Sequence, residues 1–477
     1  MTTAIVWFRQ DLRVSDNPAL LAASLAYDHL IPIYIDDTNR TTQLGAASRV
    51  WLHHSLTALG SHLHKNGSQL LLFQGDPKAI LQQLTHDLPI DAVFWNRCYD
   101  PESIDRDRQI KAYLKQSGIH TNSFNASLLY EPWQVLKKDN TPYRVFTAYW
   151  KAVSHLGMNL VPATPPESLP PLPDISKIND SPLNALSLLP KESWSSEMLR
   201  HWQIGETAAQ RKLTAYLNQS GPEYYQKTRD FPSASGTSRL SPYLHFGEIS
   251  PREIIWQTQQ EKPLAEMDNG TLTFIKELIW REFAYYILYH YPETQHQAMS
   301  PLFWKFPWRE DIQEPLERWK KGQTGFPIID AGMRELWATG WMHNRVRMIV
   351  ASFLTKNLLI DWRVGERWFR DTLVDADLAS NTMGWQWASG CGVDAAPYFR
   401  IFNPLLQSEK FDKNGDYIRR WVPELASLDN AFIHKPWAAP KPIREALSYP
   451  EPLVDLSASR QRALDAYAQI KQSSRSK

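Results

Sequence analysis

Four stretches of the sequence combine residue types that an ordinary core or surface has little use for. In GTSRLSPYLHFGEIS the hydroxyls of Thr237, Ser238 and Ser241 and the guanidinium of Arg239 stand just ahead of a helical pattern. Such a set suits a phosphate at a helix start, and it equally suits a plain helix cap. In TFIKELIWREF, Glu277, Trp280, Arg281 and Ala284 fall at i, i+3, i+4 and i+7 on one helix face. A carboxylate, an indole and a guanidinium together can grip a flat polar heterocycle; the alternative is an intrahelical Glu277–Arg281 ion pair beside a core tryptophan. In GWMHNRVRMIVASFL, Asn344, Arg347 and Met348 share a face while Arg345 points elsewhere, a pattern that core packing and salt bridges explain as well. In VDADLASNTMGWQWASGCGVDAAPYFRIFNP, Asp375, Asp377 and Asn381 recur at spacings near two and four, followed by Trp385 and Trp387.

The elements that must position these residues separate along the chain. Residues 1–130 alternate apolar runs with helical patterns: AIVWF then NPALLAAS, LIPIYI then ASRVWLHHSLTALGSHLHKNG, QLLLF then PKAILQQLTHD, DAVFW then SIDRDRQIKAYLKQSG. This alternation predicts an α/β domain, a doubly wound parallel sheet with helices on both faces. No GxGxxG follows the first strand, so the usual dinucleotide fingerprint of that fold is missing. Residues 131–195 read as an irregular connector, with eight prolines between Val161 and Pro190 that remove donors and fix φ. Residues 196–477 read as an all-α domain, helical almost without interruption in ETAAQRKLTAYLNQ, LTFIKELIWREFAYYILYHY and NRVRMIVASFLTKNLLI.

Composition narrows the function classes. The 477 residues, 43% hydrophobic and 22% charged, match a globular protein with no membrane-spanning run, and MTTAIVWFRQDLR enters a strand pattern rather than a signal peptide. A cytoplasmic protein is expected. Two cysteines, Cys98 and Cys391, exclude a disulfide framework and an all-cysteine iron–sulfur cluster within the chain. The net charge of +1 gives no global attraction for a polyanion, so a nucleic-acid surface has to be local. From Ala331 to Arg370, Arg334, Arg345, Arg347, Lys356, Arg363, Arg367 and Arg370 face only Glu335, Asp361 and Glu366; a solvated helix face is the bland alternative. The 20 tryptophans are unusual, since each indole N–H needs a partner when buried.

Taken together, these motifs resemble the DNA photolyase/cryptochrome flavoprotein family over nearly the whole chain, from IVWFRQDLR to KFDKNGDYIRRWVPEL. Within it, the chain is most similar to the bacterial cyclobutane pyrimidine dimer photolyases. The resemblance implies light-dependent repair of pyrimidine dimers by electron transfer from photoexcited reduced FAD. FAD phosphates would meet Thr237, Ser238, Arg239, Leu240 and Ser241, with Tyr225 close by. Asp375 and Asp377 would face the flavin ring edge, Arg347 would pair with Asp375, and the Asn381 amide would sit at flavin N5. An amide adapts as donor or acceptor and suits a reduced, anionic flavin better than a carboxylate.

The same resemblance implies a dimer flipped out of damaged DNA, as the general behaviour of photolyases requires. Trp280 and Trp387 would wall it, Met348 would touch it, and Asn344 and Glu277 would bond its polar edges, with Arg281 beside them. Arg229, Arg345, Arg400, Gln407 and Lys410 would meet the surrounding phosphates. Trp385, Trp362 and Trp308 match a chain of indoles that carries electrons to photoexcited oxidised FAD; core packing is the alternative for each. The small residues of ASGCG would let backbone approach a ring system. A second, antenna chromophore is expected in the α/β domain: methenyltetrahydrofolate with Glu102 near its pterin, or else 8-hydroxy-deazaflavin. The competing reading is a cryptochrome-type blue-light receptor; Asn381, the Glu277, Trp280, Asn344 and Met348 set, and the short C-terminal tail favour repair. No metal, a monomer and no membrane association are expected.

Overall fold

Five runs form one parallel sheet: β1 (Thr3–Phe8), β2 (His29–Asp36), β3 (Leu71–Gln74), β4 (Ala92–Asn96) and β5 (His120–Phe124), in the order β3-β2-β1-β4-β5. All six residues of β1 and all five of β4 are buried, the pattern of central strands covered on both faces. Ile5, Trp7, Ile33, Val93 and Trp95 pack against Leu81, Leu84, Ile110 and Leu114 of the covering helices. Three of those helices start the same way. Asn17, Asp76 and Asp100 each accept a backbone N–H of the first turn, and a proline follows each at the first helical position.

The sequence reading contains four strands, and the structure adds β5. Its sequence, HTNSF, lies at the sheet edge and buries only Thr121, so it lacks the apolar run that marks the others. The connector also differs from the expectation of an irregular 131–195. It holds a 3-10 turn, Pro132–Gln134, and the helix Phe146–Leu156, whose buried Phe146, Tyr149 and Val153 recur at three and four residues. The eight prolines between Val161 and Pro190 all follow that helix. The irregular remainder lies along the sheet through Ala163 N–H to Asp16 Oδ1 (2.7 Å), Leu30 N–H to the Pro171 carbonyl (3.2 Å) and Ser181 N–H to the Leu72 carbonyl (2.7 Å).

The computed structural model describes residues 1–158, 160–260 and 264–475. The chain divides into two compact units, Met1–Glu223 with Ser238–Pro292, and Tyr224–Thr237 with Glu293–Lys477. The first unit therefore extends beyond the sheet and connector to include the helix Asn269–His290, capped by Asp268 at Gly270 N and Thr271 N. The second is helical. Its core joins the helices Pro327–Thr339, Asn344–Ser352, Trp362–Thr372, Leu378–Ser389 and Leu456–Arg475 through residues such as Trp319, Val346, Leu354, Phe369 and Ala463. Among the described residues no helix is long and apolar enough to cross a membrane.

Candidate functional site

The helix Leu378–Ser389 organises the second unit's polar interior. Asp377 is its N-cap and accepts the Ser380 N–H at 2.8 Å, so one carboxylate oxygen is committed to starting the helix. Asn381, on the next turn, is buried and donates through Nδ2 to the Glu366 carbonyl (3.1 Å) and to Glu366 Oε1 (2.9 Å). Because both partners are acceptors, the amide nitrogen must face them and Oδ1 must face away. Among the described residues Oδ1 has no hydrogen-bond partner. Glu366 is held from the other side by Arg370, one turn along its own helix. Arg347 donates to the Met342 carbonyl at 2.7 Å and to Asp375 Oδ2 at 2.8 Å, so the carboxylate is ion-paired in a buried position.

Nothing in the sequence marks Glu366 as the partner of Asn381. It lies fifteen residues ahead of Asn381 on a different helix, and the one local sign of it is the i, i+4 pair in ERWFR.

Trp385 is buried against Phe369 (ring centroids 4.9 Å) and Trp319 (6.3 Å). Its indole fits because residue 365 is glycine: a Cβ there would lie 2.1 Å from the ring. Trp362 is buried in the same core, at the start of the helix that Asp361 caps, and half-buried Trp308 packs on the edge of that core beside Phe306 at 4.4 Å. Trp387 is also half-buried against it. The small residues of ASGCG serve the chain's own turn. Gly390 ends the helix in the left-handed region (φ +78°), where the Ala396 carbonyl lies 3.0 Å from the position of a Cβ, and Gly392 packs against Gln386.

A second feature of this unit is a half-open pocket of about 330 Å³ lined by Asp230, Arg345, Arg400, Ile401, Phe402, Asn403, Leu406, Gln407, Lys410 and Phe411. Four of the five residues expected at DNA phosphates meet here. The fifth, Arg229, stands over the Tyr225 ring (5.2 Å) with its Nε 3.8 Å from Asp230. Arg345 pairs with Asp230 at 2.8 Å and lies over the Phe411 ring at 4.4 Å; Lys410 lies over the same ring at 5.0 Å. Asn344 is exposed at the first position of its helix, with half-buried Met348 one turn on, while His343 caps that helix through its ring at Arg345 N.

Of the seven cations between Ala331 and Arg370 only Arg363 and Arg367 are exposed, and most of the rest are paired. Arg334 pairs with Glu424 (2.7 Å), Arg345 with Asp230, Arg347 with Asp375, Arg363 with Asp361 and Arg370 with Glu366, while Lys356 is buried. Three of those acids lie far from their partners in sequence, which is why a local count of charge misleads.

In the first unit, Trp280 stacks flat on Phe146, centroids 3.7 Å apart at 5°. Arg281 does not sit on an open face with Glu277: its guanidinium donates to the Ser127 carbonyl at 2.7 Å and lies 3.6 Å from Glu282. Glu282 is buried and accepts the Leu129 N–H, and burial pushes its pKa up to about 7. The helix Ser241–His245 has Leu240 at its cap position with no side-chain cap bond, so the capping alternative for this stretch is not realised there. Arg239, just before it, has φ +53°, a left-handed conformation that is strained for a non-glycine residue. Glu102 accepts the Thr41 N–H at 2.7 Å and lies near Arg40, so it ties down the loop after β2.

Comparison with known proteins places the chain in a class. Residues 4–171 match the family described as DNA photolyase, and residues 274–469 match the FAD binding domain of DNA photolyase. The chain belongs to the DNA photolyase family. Within it, the chain stands with the DNA repair enzymes. It is 46% identical over 473 residues, 98% of both chains, to a deoxyribodipyrimidine photo-lyase of Agrobacterium fabrum. A crystal structure of a bacterial class III photolyase from Agrobacterium tumefaciens superposes with a TM-score of 0.94 at 46% identity, over 99% of this chain and 98% of that one. Cryptochrome-1 of Arabidopsis thaliana is more distant, 38% identical over 98% of this chain and 70% of its own length.

Proposed function

We propose that this protein is a light-driven deoxyribodipyrimidine photo-lyase acting as a cytoplasmic monomer on DNA that carries pyrimidine dimers. The observation that carries the reading is Asn381: a buried amide, fixed by Glu366 and Arg370, that turns its oxygen outward. An acceptor fits an N–H at the edge of a flavin ring, which tests the residues against the cofactor the family binds. In this reading Asn381 holds that proton in place, while Asp375, paired with Arg347, accepts from the polar edge of the ring. Tyr225 and Thr237 of the same unit flank the cofactor, and Asp377 lends its second oxygen. Reduced FAD, when bound, supplies the photoexcited electron that opens the dimer.

The pocket of Arg345, Arg400, Gln407 and Lys410, with Arg229 nearby, takes the DNA backbone, which fixes position rather than sequence. Trp387, Met348 and Asn344 contact the dimer. Ser238 to Ser241, Glu277, Trp280 and Arg281 belong to the first unit, and their roles rest on the family resemblance; strain at Arg239 favours a functional turn there. Trp385, Trp362 and Trp308 relay electrons inward, supported by their common core. The antenna is methenyltetrahydrofolate, with 8-hydroxy-deazaflavin as the second choice, and the absorption spectrum of the purified protein distinguishes them.

The decisive experiment incubates reduced protein with a thymine-dimer duplex, in blue light and in darkness, and measures restored thymines. Repair only in light is expected; binding without repair favours the receptor reading. Trp385→Phe should lose light-driven reduction of the oxidised flavin while pre-reduced protein still repairs. Normal photoreduction in that variant removes Trp385 from the relay.

A further inference from the structure

Lys356 has no role in the reading above, yet its surroundings are unusual. It lies in the π-turn Phe353–Asn357 that continues the helix Asn344–Ser352, and it is 1% exposed. An ammonium that far from water is costly unless paired, and among the described residues none of the ion pairs places a carboxylate against it. Its partners are instead the Arg400 carbonyl, 3.1 Å from Nζ, and the Tyr398 ring, 5.3 Å away. Burial holds its pKa down to about 8, so the ammonium is still the main form at neutral pH.

Those partners sit in residues 397–403, a segment without helix or strand. Ser352, one turn before Lys356, accepts the Phe402 N–H at 3.3 Å. Behind the segment, Tyr398 stacks on Tyr467 of the helix Leu456–Arg475, centroids 4.8 Å apart. Its other side is open: Phe399 is 62% exposed, and Arg400 is exposed and lines the pocket with Arg345 and Lys410. Ser352 at the end of the helix and Lys356 in the π-turn thus hold the backbone on either side of Ile401, and π-turns of this kind recur at functional sites.

We propose that Lys356 is a positioning residue for DNA binding: its buried ammonium fixes the loop backbone at Arg400, so that the Arg400 guanidinium faces the pocket. Lys356 itself touches no DNA. The inference rests on the pocket being a DNA-backbone surface, and the experiment separates the two. Dissociation constants for a dimer-containing duplex in the dark, flavin content, and single-turnover repair at saturating duplex are measured for Lys356→Met, Lys356→Gln, Arg400→Ala and both double variants.

Lys356→Met should weaken binding about tenfold, the scale of one hydrogen bond to a charged group. Flavin content and repair of the bound duplex should not change. Lys356→Gln, which keeps a donor, should recover most of the affinity. Neither change should add to the loss in Arg400→Ala, because Lys356 acts through Arg400. Wild-type affinity in Lys356→Met, or an equal loss with and without Arg400, overturns the proposal. Should Lys356→Met fail to fold with flavin, Lys356→Gln decides: a loss confined to protein that retains Arg400 supports the proposal, and any other result overturns it. If Arg400→Ala binds like wild type, the DNA reading of the pocket fails, and the positioning role fails with it.

Discussion

Arg13, in the turn after β1, and Asn381, in the helix Leu378–Ser389, are both buried polar residues in segments dense with Asp, Asn and Arg. Around Arg13 everything closes. Its guanidinium donates to the carbonyls of Ser15, Asp16, Ala126 and Gly247 at 2.7–2.9 Å. Nearby, Asp11 accepts from Arg9 N–H and Asn96, Asn17 accepts from Asn96 and Leu20 N–H, and Glu206 accepts the N–H groups of Val14 and Ser15. Around Asn381 the pattern is asymmetric: the amide nitrogen is fixed twice by Glu366, and the oxygen is presented. The first arrangement makes a rigid scaffold. The second leaves one acceptor uncommitted, which is what the proposed flavin contact of Asn381 calls for.

The strongest way to break this contrast is Arg13→Met. It leaves four buried carbonyls without their donor and should cost on the order of 3 to 5 kcal/mol in denaturant unfolding. A loss below about 1 kcal/mol would mean that the turn is not the scaffold its hydrogen bonds suggest. Next in size is Asn381→Asp, which sets a second carboxylate against Glu366. Like charges at that distance raise one pKa, so the folded state binds a proton more tightly than the unfolded chain. Stability should fall by about 2 to 3 kcal/mol between pH 5 and pH 8 relative to wild type. A flat difference across that range would show that Glu366 does not face residue 381.

A third test separates the scaffold from its own acids. Glu248 is fully buried beside Trp51, which donates to it at 3.1 Å, and burial pushes its pKa up to about 8. A carboxyl whose folded pKa lies above its unfolded value stabilises the fold while protonated. That contribution is complete below the unfolded pKa near 4.5 and is lost as pH rises toward 8. Glu248→Gln should therefore remove a slope of up to about 1.4 kcal/mol per pH unit between pH 5 and 8. Glu282, with its pKa raised to about 7, leaves a second and shorter slope in that variant. An unchanged slope in Glu248→Gln would assign the pH dependence elsewhere.

The two regions also differ in how far their sequence could be read. The helices over the sheet announce themselves in DNPALL, GDPKAIL and YDPESI, where a cap and a first-position proline are adjacent. β5 does not, because an edge strand needs no apolar run, and the helix Phe146–Leu156 is obscured by the prolines that follow it. In the second unit, Asn381, Asp375 and Arg347 are legible through the family motifs. Glu366, which orients Asn381, and Asp230, which pairs with Arg345, are not. Both act through contacts between segments, and a side chain's partner across 15 or 115 residues leaves no periodic trace.

Gly365 gives the smallest effect and tests the same point through packing. Glycine inside a helix is about 1 kcal/mol worse than alanine, so on propensity alone Gly365→Ala should stabilise the helix Trp362–Thr372. The structure argues the reverse, because the new methyl carbon would lie 2.1 Å from the Trp385 indole and 2.6 Å from Leu354. Overpacking of this kind costs about 1 to 3 kcal/mol, which leaves a net loss of up to about 2 kcal/mol. The same helix carries Glu366, the anchor of Asn381, so the indole must yield if that anchor is to stay in register. Gly365→Ala should therefore slow photoreduction of the flavin while pre-reduced protein repairs normally. Stabilisation with normal photoreduction would show that Trp385 has room to move and that its placement does not depend on this contact.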